Sequence, residues 1–198
     1  MEKAVNKQAI KLLIIGGSAG SLEVLLTVLP ELRADLSFAI IIVLHRKYDN
    51  DSSLTGLVAA RTRMKVKEVD DKDEILPGWI YLAPADYHLL IETDHTLALD
   101  YSEKVNYSRP CIDVTFQTAT EAYGTALCCL LLSGASVDGA AGIELVKKNG
   151  GITAVQDPES AEVAYMPLKA IEKSQPDHIL DIKGIADFIN SLHEQSAI

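Results

Sequence analysis

From Lys11 onward, near-continuous apolar runs alternate with stretches whose apolar residues recur at helical spacing. Lys11–Ile15 predicts a buried strand; Leu22, Leu25, Leu26 and Leu29 then predict a helix ended by Pro30. Phe38–Leu44, rich in Ile and Val, predicts a second strand, and Ser52–Thr62 a helix. Between Val66 and Tyr101 the rhythm shortens. Val66–Val69, Trp79–Ala83, His88–Glu92 and Thr96–Tyr101 are strand candidates separated by Pro-Gly, Pro-Ala-Asp and Thr-Asp turns, a pattern expected of antiparallel hairpins. Ile112–Tyr123 reads as a helix, Leu127–Leu132 as a strand and Asp138–Asn149 as a helix stopped by Gly150 and Gly151. Ile152–Val155 and His178–Leu180 read as strands, Leu168–Ser174 and Ile185–Glu194 as helices, and residues 1–10 as a frayed lead-in.

Strands apolar along their whole length and alternating with helices call for a parallel sheet covered on both faces. The expected fold is therefore α/β: a doubly wound, mostly parallel sheet with an antiparallel hairpin extension and helices on both faces. A length of 198 residues fits one domain. Apolar runs such as Ala126–Leu132 are far shorter than the roughly 20 residues that cross a bilayer. The N-terminus has no apolar segment of the secretory kind. These features predict a chain without membrane insertion, in the cytoplasm. Three cysteines, two of them adjacent in an apolar run, suit a reducing compartment, and no spacing suggests a zinc site. The formal charge of −10 argues against nucleic acid as a partner.

Open sheets of this kind place ligands outside the carboxyl ends of their strands. Three such ends carry candidate chemistry. In Gly16-Gly17-Ser18-Ala19-Gly20-Ser21, a strand runs through small residues into a helix. Ser18 there can be a helix N-cap, part of a phosphate-binding turn, or a nucleophile lifted on a strand-to-helix turn. The phosphate turn is the weakest reading, because Ser18 stands where a dinucleotide fingerprint has its second glycine and no Gly-Lys-Ser/Thr ending follows. His45 directly follows the second strand and can be a rim histidine or a general base. Asp138 follows Leu132-Ser133-Gly134-Ala135-Ser136-Val137 and can be an N-cap or the carboxylate that orients a histidine. Together the three can face one crevice. His88, His95, His178 and His193 read as structural or surface residues.

The ordered series Ile15-Gly16-Gly17-Ser18-Ala19-Gly20, Val43-Leu44-His45, Leu76-Pro77-Gly78-Trp79-Ile80-Tyr81-Leu82-Ala83-Pro84, Ser108-Arg109-Pro110-Cys111-Ile112-Asp113-Val114, Asp138-Gly139-Ala140-Ala141-Gly142 and Met166-Pro167 resembles the catalytic domain of the chemotaxis protein-glutamate methylesterases, from about Lys11 to about Phe188. The resemblance implies a Ser18-His45-Asp138 triad that hydrolyses glutamyl methyl esters on methylated cytoplasmic helices of chemoreceptors and also deamidates receptor glutamines, with no cofactor and no metal. It makes Gly17, Ala19 and Ala135 candidates for oxyanion or substrate contacts, and likewise Arg109 and Met166. Where the family commonly has Ser-Thr-Gly-Gly, this chain has Ser18-Ala19-Gly20-Ser21. Where it commonly has Gly-Met-Gly, this chain has Gly134-Ala135-Ser136. These departures keep open a second reading, a weak or inactive relative that binds a receptor or signalling partner. Family members often carry an N-terminal receiver domain, which residues 1–10 cannot hold, so a stand-alone catalytic domain is expected.

Overall fold

A computed structural model of the chain describes residues 9–46 and 53–194. Seven strands form one sheet: β1 (Leu12–Gly17), β2 (Ala39–Leu44), β3 (Lys65–Glu68), β4 (Trp79–Leu82), β7 (Leu127–Leu131), β8 (Ile152–Gln156) and β9 (His178–Leu180). Their order is β3-β4-β2-β1-β7-β8-β9, and every pairing is parallel. From β1 the chain runs to its neighbour β2, then to the edge strand β3, returns to place β4 between β2 and β3, and crosses to the other side of β1 for β7, β8 and β9. The switch in winding direction falls between β1 and β7, where an open α/β sheet has its crevice.

Successive side chains on a strand point to opposite faces, and the sequence makes both apolar. Leu13, Ile15, Ile40, Ile42, Cys128 and Leu130 join one buried cluster with α1 (Ser21–Val28), α2 (Ser53–Ala59) and α6 (Ile182–Glu194). Leu12, Ile14, Ile41, Val43, Cys129 and Leu131 join another with α3 (Ile112–Tyr123), α4 (Ala140–Lys148) and α5 (Tyr165–Ser174). Pro30 lies in a short 3-10 turn that closes α1. Pro167 stands in the first turn of α5, where its missing N–H has no intrahelical partner to lose. The helix expected over Ser52–Thr62 begins outside the described residues and is seen as α2.

The middle of the chain corrects one expectation. Of the four short strands read as hairpins, only β5 (His88–Ile91) and β6 (Leu97–Asp100) pair antiparallel, as a separate two-stranded sheet. β3 and β4 are parallel members of the main sheet, in register Lys65↔Trp79 to Glu68↔Leu82. A parallel pair needs a crossover, and residues 69–78 make it without a helix. Side chains hold that link instead. Lys67 Nζ donates to Asp73 at 2.9 Å, the Tyr81 hydroxyl donates to the Glu74 carbonyl at 2.8 Å, and the link pairs with the β5–β6 hairpin through Glu74 and Thr96.

Candidate active site

The carboxyl ends of β2, β1 and β7 are neighbours, so the loops bearing His45, Ser18 and Asp138 emerge side by side. The His45 N–H donates to the Gly17 carbonyl (3.1 Å), and the Ser18 N–H donates to the Ser133 carbonyl (2.9 Å). These two bonds tie the three strand tips together.

Asp138 is fully buried, and its side chain does not cap α4, the helix that follows it. It reaches instead to the N-terminus of α3. There Oδ2 accepts the Ile112 N–H (2.7 Å) and Oδ1 the Asp113 N–H (3.0 Å). Free N–H groups and the helix dipole favour a negative charge at that point. Oδ1 also accepts from the Cys111 thiol (3.0 Å), the Asn106 amide (3.0 Å) and the Gly139 N–H (3.1 Å). Oδ2 contacts His45 Nε2 at 2.7 Å. Burial pushes the carboxyl up, but His45, the Cys111 thiol and the two helix N–H groups outweigh it and bring the pKa down to about 2. An ionised carboxylate at Nε2 fixes the proton there and leaves Nδ1 as the accepting nitrogen. Nδ1 faces a cleft of about 460 Å³ walled by His45, Arg46, Asp86, Lys104, Ser108 and Arg109, with the Ser108 hydroxyl 3.5 Å away.

Ser18 does not cap α1 with its side chain; Gly20, at φ 80°, holds the cap position. The Ser18 carbonyl accepts from the N–H and hydroxyl of Ser21. Among the described residues, no hydrogen bond joins the Ser18 hydroxyl to His45. A Cβ added at Gly134 would lie 2.9 Å from Ser18 Cβ and 2.7 Å from Met166 Cε. Only glycine lets the loop after β7 lie between Ser18 and the buried Met166. Among the described residues, no hydrogen bond is made by the N–H of Ala19 or Ala135. The Gly134 N–H is already committed to the Val163 carbonyl (3.0 Å).

The other candidates have different surroundings. Gly17 lies in β1, and its carbonyl holds His45. Met166 is fully buried, and its N–H donates to the Gly134 carbonyl (2.9 Å), so it backs the loop beside Ser18. The Arg109 guanidinium lines the cleft but is occupied: it donates to Asp86 (2.7 Å) and to the Ser102 carbonyl (2.7 Å), and lies 3.9 Å from the Tyr101 ring centre. Lys47 and Tyr48, which follow Arg46 in sequence, lie outside the described residues. Of the other histidines, His88 is buried between Glu103 and Cys111, His95 stacks on Tyr123, His178 packs against Phe188 and His193 accepts the Ser37 N–H.

Sequence reasoning did not single out Asn106, Ser108, Cys111 or Asp113. The signal for three of them was present in Ser108-Arg109-Pro110-Cys111-Ile112-Asp113, a segment that leads into a helix start and carries polar side chains with no partner close in sequence. The small-residue series Asp138-Gly139-Ala140-Ala141-Gly142 also has its reason: a Cβ at Gly142 would lie 2.6 Å from Phe116 Cβ, so α4 can approach α3 only as glycine there.

The chain and its fold have counterparts among known proteins. The model of the family described as CheB methylesterase matches residues 13–189. A Leptospira interrogans protein bearing the provisional name protein-glutamate methylesterase/protein-glutamine glutaminase is 41% identical over 192 residues, covering 97% of this chain and 98% of its own length. A Thermotoga maritima protein-glutamate methylesterase/protein-glutamine glutaminase is 32% identical, covering 89% of this chain and 53% of its own length. The crystal structure of the Thermotoga maritima CheB methylesterase catalytic domain superposes with a TM-score of 0.88 at 31% identity, over 93% of this chain and 99% of that one. Sequence, fold and match along nearly the whole chain agree, and the protein belongs to the CheB methylesterase family.

Proposed function

We propose that this protein is a cytoplasmic serine hydrolase that cleaves glutamyl methyl esters on the signalling helices of chemoreceptors, releasing methanol, and that hydrolyses receptor glutamine amides at the same site. The observation that carries the reading is the 2.7 Å contact between His45 Nε2 and Asp138 Oδ2, which leaves Nδ1 open to the cleft.

In this reading Ser18 is the nucleophile, His45 the base and Asp138 the group that sets its tautomer. His45 Nδ1 takes the Ser18 proton as the hydroxyl oxygen attacks the ester carbonyl. The N–H groups of Ala19 and Ala135 receive the negative charge that develops on the carbonyl oxygen; each such donor contributes roughly 3–4 kcal/mol to the barrier reduction. The tetrahedral intermediate collapses, and the methoxy group leaves as methanol with the proton held by His45. Water, deprotonated by His45, then attacks the acyl-serine; the bond to Ser18 breaks, Ser18 regains its proton and a glutamate side chain is released. Ser18 and His45 directly follow adjacent strands joined by the bond from the His45 N–H to the Gly17 carbonyl, which supports the pairing of hydroxyl and imidazole. Ser108, though 3.5 Å from Nδ1, has no strand-to-helix turn behind it, which favours Ser18.

The test is methanol release from methylated receptor by wild type, Ser18→Ala and Ser108→Ala. The expected result is turnover by wild type, loss of about 10³-fold or more in Ser18→Ala, and retention of most activity in Ser108→Ala. Turnover retained by Ser18→Ala removes the nucleophile assignment. Receptor binding by the wild type without methanol release would mark a binding module instead.

A further inference from the structure

We propose that Asn106 is a positioning residue of this active site: its side-chain amide spans two carboxylates, the buried Asp138 and the half-buried Asp113, and clasps the loop 101–110 to the carboxylate that orients His45. The inference deepens the hydrolase reading and rests on it for its kinetic part.

The geometry is specific. Asn106 Nδ2 donates to Asp138 Oδ1 at 3.0 Å and to Asp113 Oδ2 at 2.9 Å, using both amide protons. Asp113 Oδ1 accepts the Gly142 N–H of α4 at 2.7 Å. Two carboxylates sharing so small a volume repel each other. Burial pushes Asp113 above the usual carboxylate range, the Asp138 charge adds to this, and the Gly142 N–H and the Asn106 amide oppose it. An amide between them supplies a donor to each without bringing a charge of its own.

The backbone around Asn106 gives independent support. Val105 and Ser108 form an isolated bridge, with the Ser108 N–H on the Val105 carbonyl at 2.9 Å, and the two residues between them are left-handed, Asn106 at φ 51° and Tyr107 at φ 60°. Asparagine adopts that conformation readily; tyrosine does so at a cost, and Tyr107 is 99% exposed, so packing of its ring does not offset it. The turn therefore needs an anchor, and the two hydrogen bonds of Asn106 provide one. The same turn brings Ser108 to the cleft wall beside His45 Nδ1.

Other charged or titratable groups also face this centre. Cys111 precedes α3 and donates to Asp138, and His88 on β5 accepts the Cys111 N–H. Arg46, Asp86, Lys104 and Arg109 line the cleft with His45, while Lys169, Glu172 and Lys173 of α5 share a second cavity with Asn106 and Asp113. Asn106 differs from all of them in contacting both carboxylates.

The test uses two variants that both accept the left-handed backbone. Asn106→Gly deletes the amide, and Asn106→Asp replaces it with a third carboxylate. In methanol release, kcat should fall roughly tenfold to a hundredfold in Asn106→Gly and further in Asn106→Asp, with KM held within about twofold. The acid limb of kcat/KM should move to lower pH in Asn106→Gly, because Asp138, no longer held in place, turns from His45 Nε2 and stabilises the imidazolium less. Ring ¹⁵N shifts of His45 supply a readout that needs no turnover: Nε2-protonated in wild type, a tautomer mixture in Asn106→Gly. If both variants keep the wild-type tautomer, kcat and acid limb and merely melt at lower temperature, Asn106 is a structural residue and the proposal falls. A wild type without turnover defeats the hydrolase reading, while the ¹⁵N shifts still decide whether Asn106 positions Asp138 and His45.

Discussion

Asp138 shows how a buried charge becomes useful at the scale of one residue. It has no solvent contact, yet helix N–H groups, a thiol, an amide and an imidazole keep it ionised at about 2, below an ordinary aspartate at 3.8. Because the folded-state value is the lower one, this group contributes stability above pH 3.8 that disappears as pH falls from about 4 towards 2. The contribution is roughly 2 kcal/mol. Asp113, pushed upward, works in the opposite sense and reduces the net change. In urea unfolding, the stability gap between wild type and Asp138→Asn should narrow by about 1–2 kcal/mol between pH 5 and pH 2. A gap independent of pH would show that Asp138 is not held in its charged form. At neutral pH the same variant should lose about 10³- to 10⁴-fold in kcat, since an amide facing His45 favours the wrong tautomer.

At the scale of elements, the contact between α3 and α4 governs the site, because α3 supplies the N–H groups for Asp138 and α4 begins two residues after it. Gly142 sets how close the two helices come. Gly142→Val should destabilise the protein by roughly 1–3 kcal/mol through overpacking on Phe116 and lower activity as α3 is pushed away from Asp138. Denaturant midpoints and kcat measured together check this, and an unchanged midpoint would show that the helices can yield. The sheet was legible in the sequence because β1, β2 and β7 are apolar at successive positions, as strands covered on both faces must be. The position of Ser18, His45 and Asp138 at strand ends was legible for the same reason. Strand partners were not: β3 and β4 look like a hairpin because 69–78 contains no helix, and only side-chain contacts such as Lys67–Asp73 and Tyr81–Glu74 reveal a crossover. Nor could the sequence show that Asp138 serves α3 instead of its own helix, since those partners lie far apart in the chain. Asn106 was invisible on the same ground.

For the whole molecule, net charge and local charge have opposite signs. The chain carries −10, yet the cleft beside His45 is rimmed by Arg46, Lys104 and Arg109 against one carboxylate, Asp86. Arg46 is paired with Glu68 and Arg109 with Asp86. Lys104 is exposed and makes no close ion pair among the described residues, although its charge reaches Asp86. An acidic partner is thus repelled by most of the surface and attracted at the cleft, which orients it before contact. A substrate segment that is acidic around its methyl ester should be captured this way. Lys104→Glu should raise KM for methylated receptor by about threefold to tenfold and leave kcat nearly unchanged, since the residue touches neither Ser18 nor Asp138. Raising ionic strength from about 0.05 M to about 0.5 M should raise the wild-type KM and erase most of the difference between the two proteins. A small neutral methyl ester should show neither effect, because it carries no charge for Lys104 to attract. If the charge-reversed variant has the wild-type KM on receptor at low salt, this rim does not guide the substrate.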